Sequence, residues 1–261
     1  GLSEQVTLSL ETGIYGGVPL DGPLFGASVN PDSITRSSDM FTTYDGGGLD
    51  MTVLGGAEID PCGNVNVSKF SGRCVGPGGF INITQNAKKV VYCGTFTAGG
   101  LDVAVEDGRL AIRREGSVRK LLRQVEQITF SSIYAQETNQ TVLFITERAV
   151  FRLLNGKVTL TEIAPGVDLQ KHILDKMEFK PEIAPDLKLM DMRLFREKKM
   201  GLRPVPGEGD NYEKTDRWHQ CCRRCSYWLA VIGTATGDVR SRDIPSSIPD
   251  GGTEFSPGVR N

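Results

Sequence analysis

The sequence predicts an α/β fold, a layered open sheet with β-hairpin additions, and three observations carry that expectation. Residues 89–96 form a nearly unbroken apolar run, as a strand does when both faces of its sheet are covered. Asp107-Gly108 and Asn155-Gly156 each separate two apolar stretches, and both dipeptides accept the positive φ angles of tight hairpin turns. After Ala164-Pro165-Gly166, the residues Leu169, Ile173 and Met177 recur at i, i+4 and i+8, one helix face, with Asp168 placed to cap it.

Taken in order, Val6 to Glu11 alternates as a strand, and Leu49 to Leu54 and Val65 to Ser68 are short strands. The core strand Lys89 to Phe96 follows. Leu101 to Val105 pairs with Arg109 to Ile112 around Glu106-Asp107-Gly108, and Phe144 to Leu154 pairs with Val158 to Ile163. Beyond the capped helix, Leu187, Met190 and Leu194 suggest a second helix over Leu187 to Met200. His172 falls on a polar face with Lys171 and Asp175, which favours a solvated histidine over an acid–base group or ligand. No internal repeat is present.

From Arg203 the character changes, with Pro204, Pro206, Pro245, Pro249 and Pro257 among many glycines and serines. Residues 1–202 are expected to form one domain and 203–261 a low-order or foreign tail. In that tail His219, Cys222 and Cys225 have ligand types suited to zinc, but no second Cys-x-x-Cys pair follows, so no metal site is expected. Cys62, Cys74 and Cys93 stand singly, the usage of a reducing compartment.

Composition narrows the partners. The chain has 261 residues, 39% hydrophobic and 24% charged, enough for one large domain. Thirty basic against thirty-two acidic residues leave a net charge of −2, so electrostatics favour neither nucleic acid nor an anionic membrane surface. No apolar run approaches the roughly 18 residues of a membrane span.

Two glycine-rich segments carry candidate chemistry. In the first, Leu8-Ser9-Leu10-Glu11-Thr12-Gly13-Ile14-Tyr15-Gly16-Gly17, a strand ends in a glutamate and enters turns that leave its carboxylate approachable. Alone, this is more simply a strand end. In the second, Gly76-Pro77-Gly78-Gly79-Phe80-Ile81-Asn82, closely spaced glycines expose backbone N–H groups that can hold a phosphate or a developing oxyanion. Alone, that is a surface turn. Together they supply a nucleophile and an oxyanion loop.

These residues resemble the class I coenzyme A transferases, in particular the short-chain acyl-CoA and 3-ketoacid enzymes. The resemblance runs through Glu11-Thr12-Gly13 with Gly16-Gly17, Asp45-Gly46-Gly47-Gly48-Leu49-Asp50-Met51, Gly63-Asn64-Val65-Asn66-Val67-Ser68, Gly76-Pro77-Gly78-Gly79-Phe80, Glu147-Arg148-Ala149-Val150-Phe151 and Ile163-Ala164-Pro165-Gly166-Val167-Asp168-Leu169. It covers residues 6 to 202 and corresponds to the second, β-type half of such an enzyme.

The resemblance implies the layered sheet of that family, which sugar-phosphate isomerases share. It also implies a ping-pong reaction in which Glu11 attacks an acyl-CoA and becomes a γ-glutamyl-CoA thioester. A free glutamate ionises at about pH 4.3, so it is an anionic nucleophile at neutral pH without a neighbouring base. Gly79 resembles the family's oxyanion-hole glycine. Gly76 and Gly78 would shape the coenzyme's approach, with Asn82, Lys69 and Lys88 as further candidate contacts. The segment Ser28 to Met40 is expected to shape the acyl pocket.

Coenzyme A enters as a substrate, with no permanently bound cofactor. The implied partners are a short-chain carboxylic acid and an α-type half or subunit within a homo-oligomer, in the cytoplasm or mitochondrial matrix. Because Gly1 lies just ahead of the Glu11 strand, the chain reads as a fragment, a processed chain or one subunit that cannot turn over alone. Two alternatives stand beside the transferase. One is an acyl-CoA hydrolase, in which water intercepts the same intermediate. The other is a non-catalytic metabolite-binding module.

Overall fold

The computed structural model describes residues 6–198, 200 and 201. Its centre is a six-stranded sheet in the order Glu182–Leu189, Lys157–Ile163, Ala149–Leu154, Thr141–Ile145, Lys89–Cys93, Thr52–Leu54. The last three are mutually parallel, Val90 lying opposite both Thr52 and Val142. Parallel neighbours need crossovers, and these contain the helices Phe80–Gln85 and Ser132–Glu137. The sheet then reverses through two antiparallel pairs and ends with Glu182–Leu189 parallel to Lys157–Ile163.

Side chains alternate across a strand, so the run at 89–93 serves two cores. Val90 and Tyr92 join Val142, Phe144 and Phe151 in one cluster, while Val91 and Cys93 join Leu143, Ile145 and Val150 in the other. This double burial accounts for the unbroken apolar run. An aromatic stack anchors the first cluster, with ring centroids 5.8 Å apart for Phe80–Tyr92 and 5.4 Å for Tyr92–Phe144.

Both hairpin expectations hold. Asp102–Glu106 pairs with Arg109–Arg114, and Asp107 and Gly108 have φ of 49° and 74°. Asn155 and Gly156, at 50° and 74°, join Ala149–Leu154 to Lys157–Ile163. The expected strand Phe144 to Leu154 is instead two strands, Thr141–Ile145 and Ala149–Leu154. The reversal between them is closed by Thr146, whose Oγ1 accepts from Ala149 N at 3.0 Å.

The expected helix over Leu187 to Met200 is not formed. Residues Glu182–Leu189 are an edge strand and Met192–Phe195 a short 3₁₀ turn. Pro185 suits an edge strand better than a helix interior. Leu187 packs on the first cluster while Met190 and Leu194 pack on the second, so the apolar spacing serves opposite faces.

The Asp168 cap is present, Oδ1 accepting from Lys171 N at 2.6 Å. The helix it opens is shorter than expected, Leu169–His172 followed by a 3₁₀ turn at Leu174–Lys176, yet Ile173 and Met177 are buried as the stripe requires. The strand expected over Val6 to Glu11 contracts to Ser9–Leu10, those over Leu49 to Leu54 and Val65 to Ser68 to Thr52–Leu54 and Val65–Asn66. Residues 203–261, with the His219, Cys222 and Cys225 group, lie outside the described residues. Cys62 and Cys74 are exposed and Cys93 is buried.

Candidate active site

Glu11 begins the turn between the paired strands Ser9–Leu10 and Ile14–Tyr15, and the Gly13 N–H closes that turn on Leu10 O at 2.9 Å. Gly13 has φ +105°, and a Cβ there would collide with Thr35 O. The turn therefore needs glycine for both its angle and its space. Glu11 itself is half-buried.

Across from it stands Gly79, one residue before the helix Phe80–Gln85. A Cβ on Gly79 would overlap Glu11 Oε2, and the Phe41 ring atoms Cε1 and Cζ lie 2.9 and 3.0 Å from that same point. The two glycine-rich segments thus meet in space, with the carboxylate lying against the Gly79 backbone. Among the described residues no acceptor takes the Gly79 N–H. Gly76 and Gly78 have φ of +86° and +54°, are exposed, and would meet nothing within 4 Å if given a Cβ. There it is the backbone angle that demands glycine.

The helix Ser37–Asp45 holds these parts together. Ser37, Phe41 and Tyr44, at i, i+4 and i+7, share one face. Ser37 Oγ donates to Glu11 O at 2.8 Å and Tyr44 OH to Ser9 Oγ at 3.0 Å. Burial raises the Tyr44 pKa above 10.0, outweighing the Ser9 hydrogen bond, so the phenol is a neutral donor here. At the helix's other end, Asn82 Nδ2 donates to both Asp45 carboxylate oxygens at 3.0 Å, and Asn86 Nδ2 donates to Asp45 O at 2.6 Å. The helix spans from the Glu11 turn to the Gly79 helix.

Of the other sequence candidates, Lys88 pairs with Asp50 at 2.6 Å and both are largely exposed. Lys69 lies 3.9 Å from Glu126. His172 Nδ1 accepts from Asp168 N at 3.0 Å; burial, then Lys171 and Arg148, lower its pKa below 6.5. Among the described residues no cluster of three or more metal-ligating side chains occurs, and no helix is long and apolar enough to cross a membrane.

Ser37 lies in the Ser28 to Met40 segment expected to shape the acyl pocket, but the sequence reading did not anticipate that Ser37, with Phe41, Tyr44 and Asp45, ties the Glu11 turn to the Gly79 helix. Their i, i+4, i+7 spacing is visible in the chain, but only the tertiary structure shows what that face meets. Arg148 is a second omission. It is fully buried, forms ion pairs with Glu115 at 2.7 Å and with Glu147, and donates to His172 O at 3.0 Å.

The fold and site together define a layered α/β domain that presents a glutamate on a glycine turn against the Gly79 backbone of a second glycine-rich segment. No family model matches the chain. A caffeate CoA-transferase of Acetobacterium woodii is 51% identical over 213 residues, covering 80% of this chain and 40% of that protein. The acetate CoA-transferase YdiF of Escherichia coli K12 is 50% identical over 202 residues, covering 77% and 38%. The β subunit of an acetate CoA-transferase from the same organism is 30% identical, covering 70% of this chain and 79% of that one. The chain belongs to the class I coenzyme A transferases and corresponds to their β-type subunit.

Solved structures agree. The acyl-CoA transferase YdiF of Escherichia coli O157:H7 superposes with a TM-score of 0.73 at 49% identity, covering 78% of this chain and 38% of that one. A decarboxylase, AibA/AibB, shares the fold with a TM-score of 0.54 at 18% identity. The chain spans about two fifths of the first two relatives' length. The CoA-transferase relatives named here are bacterial and lend a mitochondrial location no support.

Proposed function

We propose that the chain forms the β-type part of a coenzyme A transferase in which Glu11 is the nucleophile. The observation that carries this reading is the Glu11 carboxylate lying against Gly79, two groups far apart in sequence. Glu11 attacks the thioester carbonyl of an acyl-CoA; the C–S bond breaks, leaving an acyl-glutamyl anhydride and CoA thiolate. The thiolate attacks the glutamyl carbonyl, expels the donor as its carboxylate and leaves a γ-glutamyl-CoA thioester. An acceptor carboxylate attacks that thioester and expels the thiolate. The thiolate then attacks the acceptor's carbonyl in this second anhydride, giving the new acyl-CoA and restoring Glu11.

Each step places negative charge on a carbonyl oxygen, for which the Gly79 N–H, without an acceptor among the described residues, is the candidate donor; one such donor contributes about 3 to 4 kcal/mol to a transition state. No step needs a proton, so none needs a histidine. Gly76 and Gly78 give the coenzyme a route with little steric obstruction. Lys69 and Lys88 are candidate phosphate contacts that would first have to leave their carboxylate partners, and Asn82 acts through Asp45. A solved YdiF structure is described as a thioester complex with CoA, and relatives named as β subunits imply an α-type partner.

The test is a peptide mass map of the complete enzyme after acetyl-CoA or propionyl-CoA and borohydride, which reduces a glutamyl thioester to an alcohol. Reduction at Glu11, lost in Glu11→Gln with the fold retained, is the expected outcome. An unmodified Glu11 peptide from active protein refutes the reading. CoA released without an acid acceptor would make the enzyme a hydrolase. Ligand binding that survives Glu11→Gln in a protein without turnover would make it a binding module.

A further inference from the structure

The helix Ser37–Asp45 commits Met40 and Tyr44 to the core, at 0% and 3% exposure. Phe41, between them, is only half-buried. Its ring edge faces Gly79 at the point that Glu11 Oε2 also crowds. Tyr44 braces the ring edge-on, with centroids 6.1 Å apart and planes at 88°. An aromatic ring with little share in the core therefore stands, held in place, beside the nucleophile.

We propose that Phe41 is the wall against which the donor's acyl group packs, and that it sets the length of acyl chain that reaches Glu11. The inference rests on Glu11 being the nucleophile. The carbonyl carbon under attack carries three substituents. Its oxygen turns to the Gly79 N–H, and its sulfur leads to the coenzyme along the exposed Gly76–Gly78 backbone. The acyl chain takes the remaining side, where Phe41 offers an apolar surface. A hydrocarbon chain gains by covering that surface, and a chain too long for the space is turned away.

The experiment compares kcat/KM for straight-chain donors from acetyl-CoA to hexanoyl-CoA, with one acceptor, in the complete enzyme and in Phe41→Ala, Phe41→Leu and Phe41→Trp. One methylene in an apolar pocket changes selectivity by about 10- to 200-fold. Phe41→Ala should raise the hexanoyl-to-acetyl ratio at least about tenfold, Phe41→Trp should lower it, and Phe41→Leu should fall between wild type and Ala. Opposite shifts in Ala and Trp are not what a purely structural role produces.

If Phe41→Ala fails to fold, as thermal unfolding would show, the Leu and Trp variants decide. Equal loss across all donors in the folded variants overturns the inference. Wild-type protein that borohydride leaves unmarked at Glu11 removes the mechanism and the inference with it. Marked wild type with an unmoved chain-length profile overturns the inference alone.

Discussion

Position 79 is occupied by a glycine whose missing side chain is space used by another residue. The φ of Gly79 is −80°, which any residue adopts, so backbone freedom does not explain the glycine there. Proximity does: a methyl group would displace Glu11 Oε2 or the Phe41 ring. Gly79→Ala should therefore keep its fold and lose about 100- to 1000-fold in kcat, the scale of a lost or misdirected oxyanion donor. Stopped-turnover kinetics beside a circular dichroism melt would check this. A variant within threefold of wild-type kcat would show that the carboxylate has room elsewhere. Glu11 and Gly79 were singled out in the sequence through the family resemblance, since each glycine-rich segment alone reads as a strand end or a surface turn. Phe41 was not, because an aromatic residue on a helix is ordinarily core, and only its half-burial beside Glu11 distinguishes it.

Among the elements, the nine-residue helix Ser37–Asp45 connects the two halves of the site. Its attachment to the Gly79 helix runs through the Asp45–Asn82 contact, which is exposed and so adds little to stability, about 0.5 to 1.5 kcal/mol. Its effect on geometry is larger, since small misplacements of reacting groups cost up to about 100-fold in rate. Asp45→Ala is expected to lower kcat about 10- to 100-fold with a nearly unchanged melting temperature. Asn82→Ala should match it and the double variant should be no worse. Additive losses in that cycle would refute the coupling.

Sequence patterns identified some elements and missed others for physical reasons. The Asp107-Gly108 and Asn155-Gly156 turns were readable because positive φ restricts the residue choice locally. Leu187 to Met200 was misread because apolar residues at helical spacing also fit a strand followed by a turn when both sheet faces need covering. The break at Thr146 was passed over between two apolar stretches, although the polar triplet Thr146-Glu147-Arg148 interrupts them.

Across the whole molecule, Arg148 connects segments from three parts of the chain. It reaches Glu115 beyond the Asp102–Arg114 hairpin, Glu147 beside it and the carbonyl of His172, and its guanidinium lies 4.9 Å from the centre of the Phe96 ring. Arg148→Met leaves two carboxylates without their cation and should cost about 3 to 5 kcal/mol, measured by urea unfolding at pH 7. Burial pushes the Glu115 carboxyl upward, but hydrogen bonds from Arg148 and Thr97 outweigh it and hold the group below its ordinary 4.5. A carboxyl depressed in the folded state stabilises above its unfolded value and loses that contribution as pH falls through the folded one. Wild-type stability should therefore decline below pH 4.5, with that part of the decline reduced in Arg148→Met. Equal slopes in the two proteins would exclude the pair as its source.

The family relationship and the double-faced sheet were both visible in the sequence, one through separated motifs in the right order and the other through the run at 89–96, of which Lys89–Cys93 forms the strand. The charged centre was not, because each of its members reads alone as a surface residue. Its consequence is cooperative. The cation at the point where the sheet reverses stays paired with Glu147 beside it, but it keeps all its hydrogen bonds only while the stretch from Glu115 and the stretch ending at His172 are both in place. Detaching either one leaves buried guanidinium N–H groups without acceptors, so local opening at the Glu115 stretch or at the helix ending in His172 carries a penalty set at the sheet reversal.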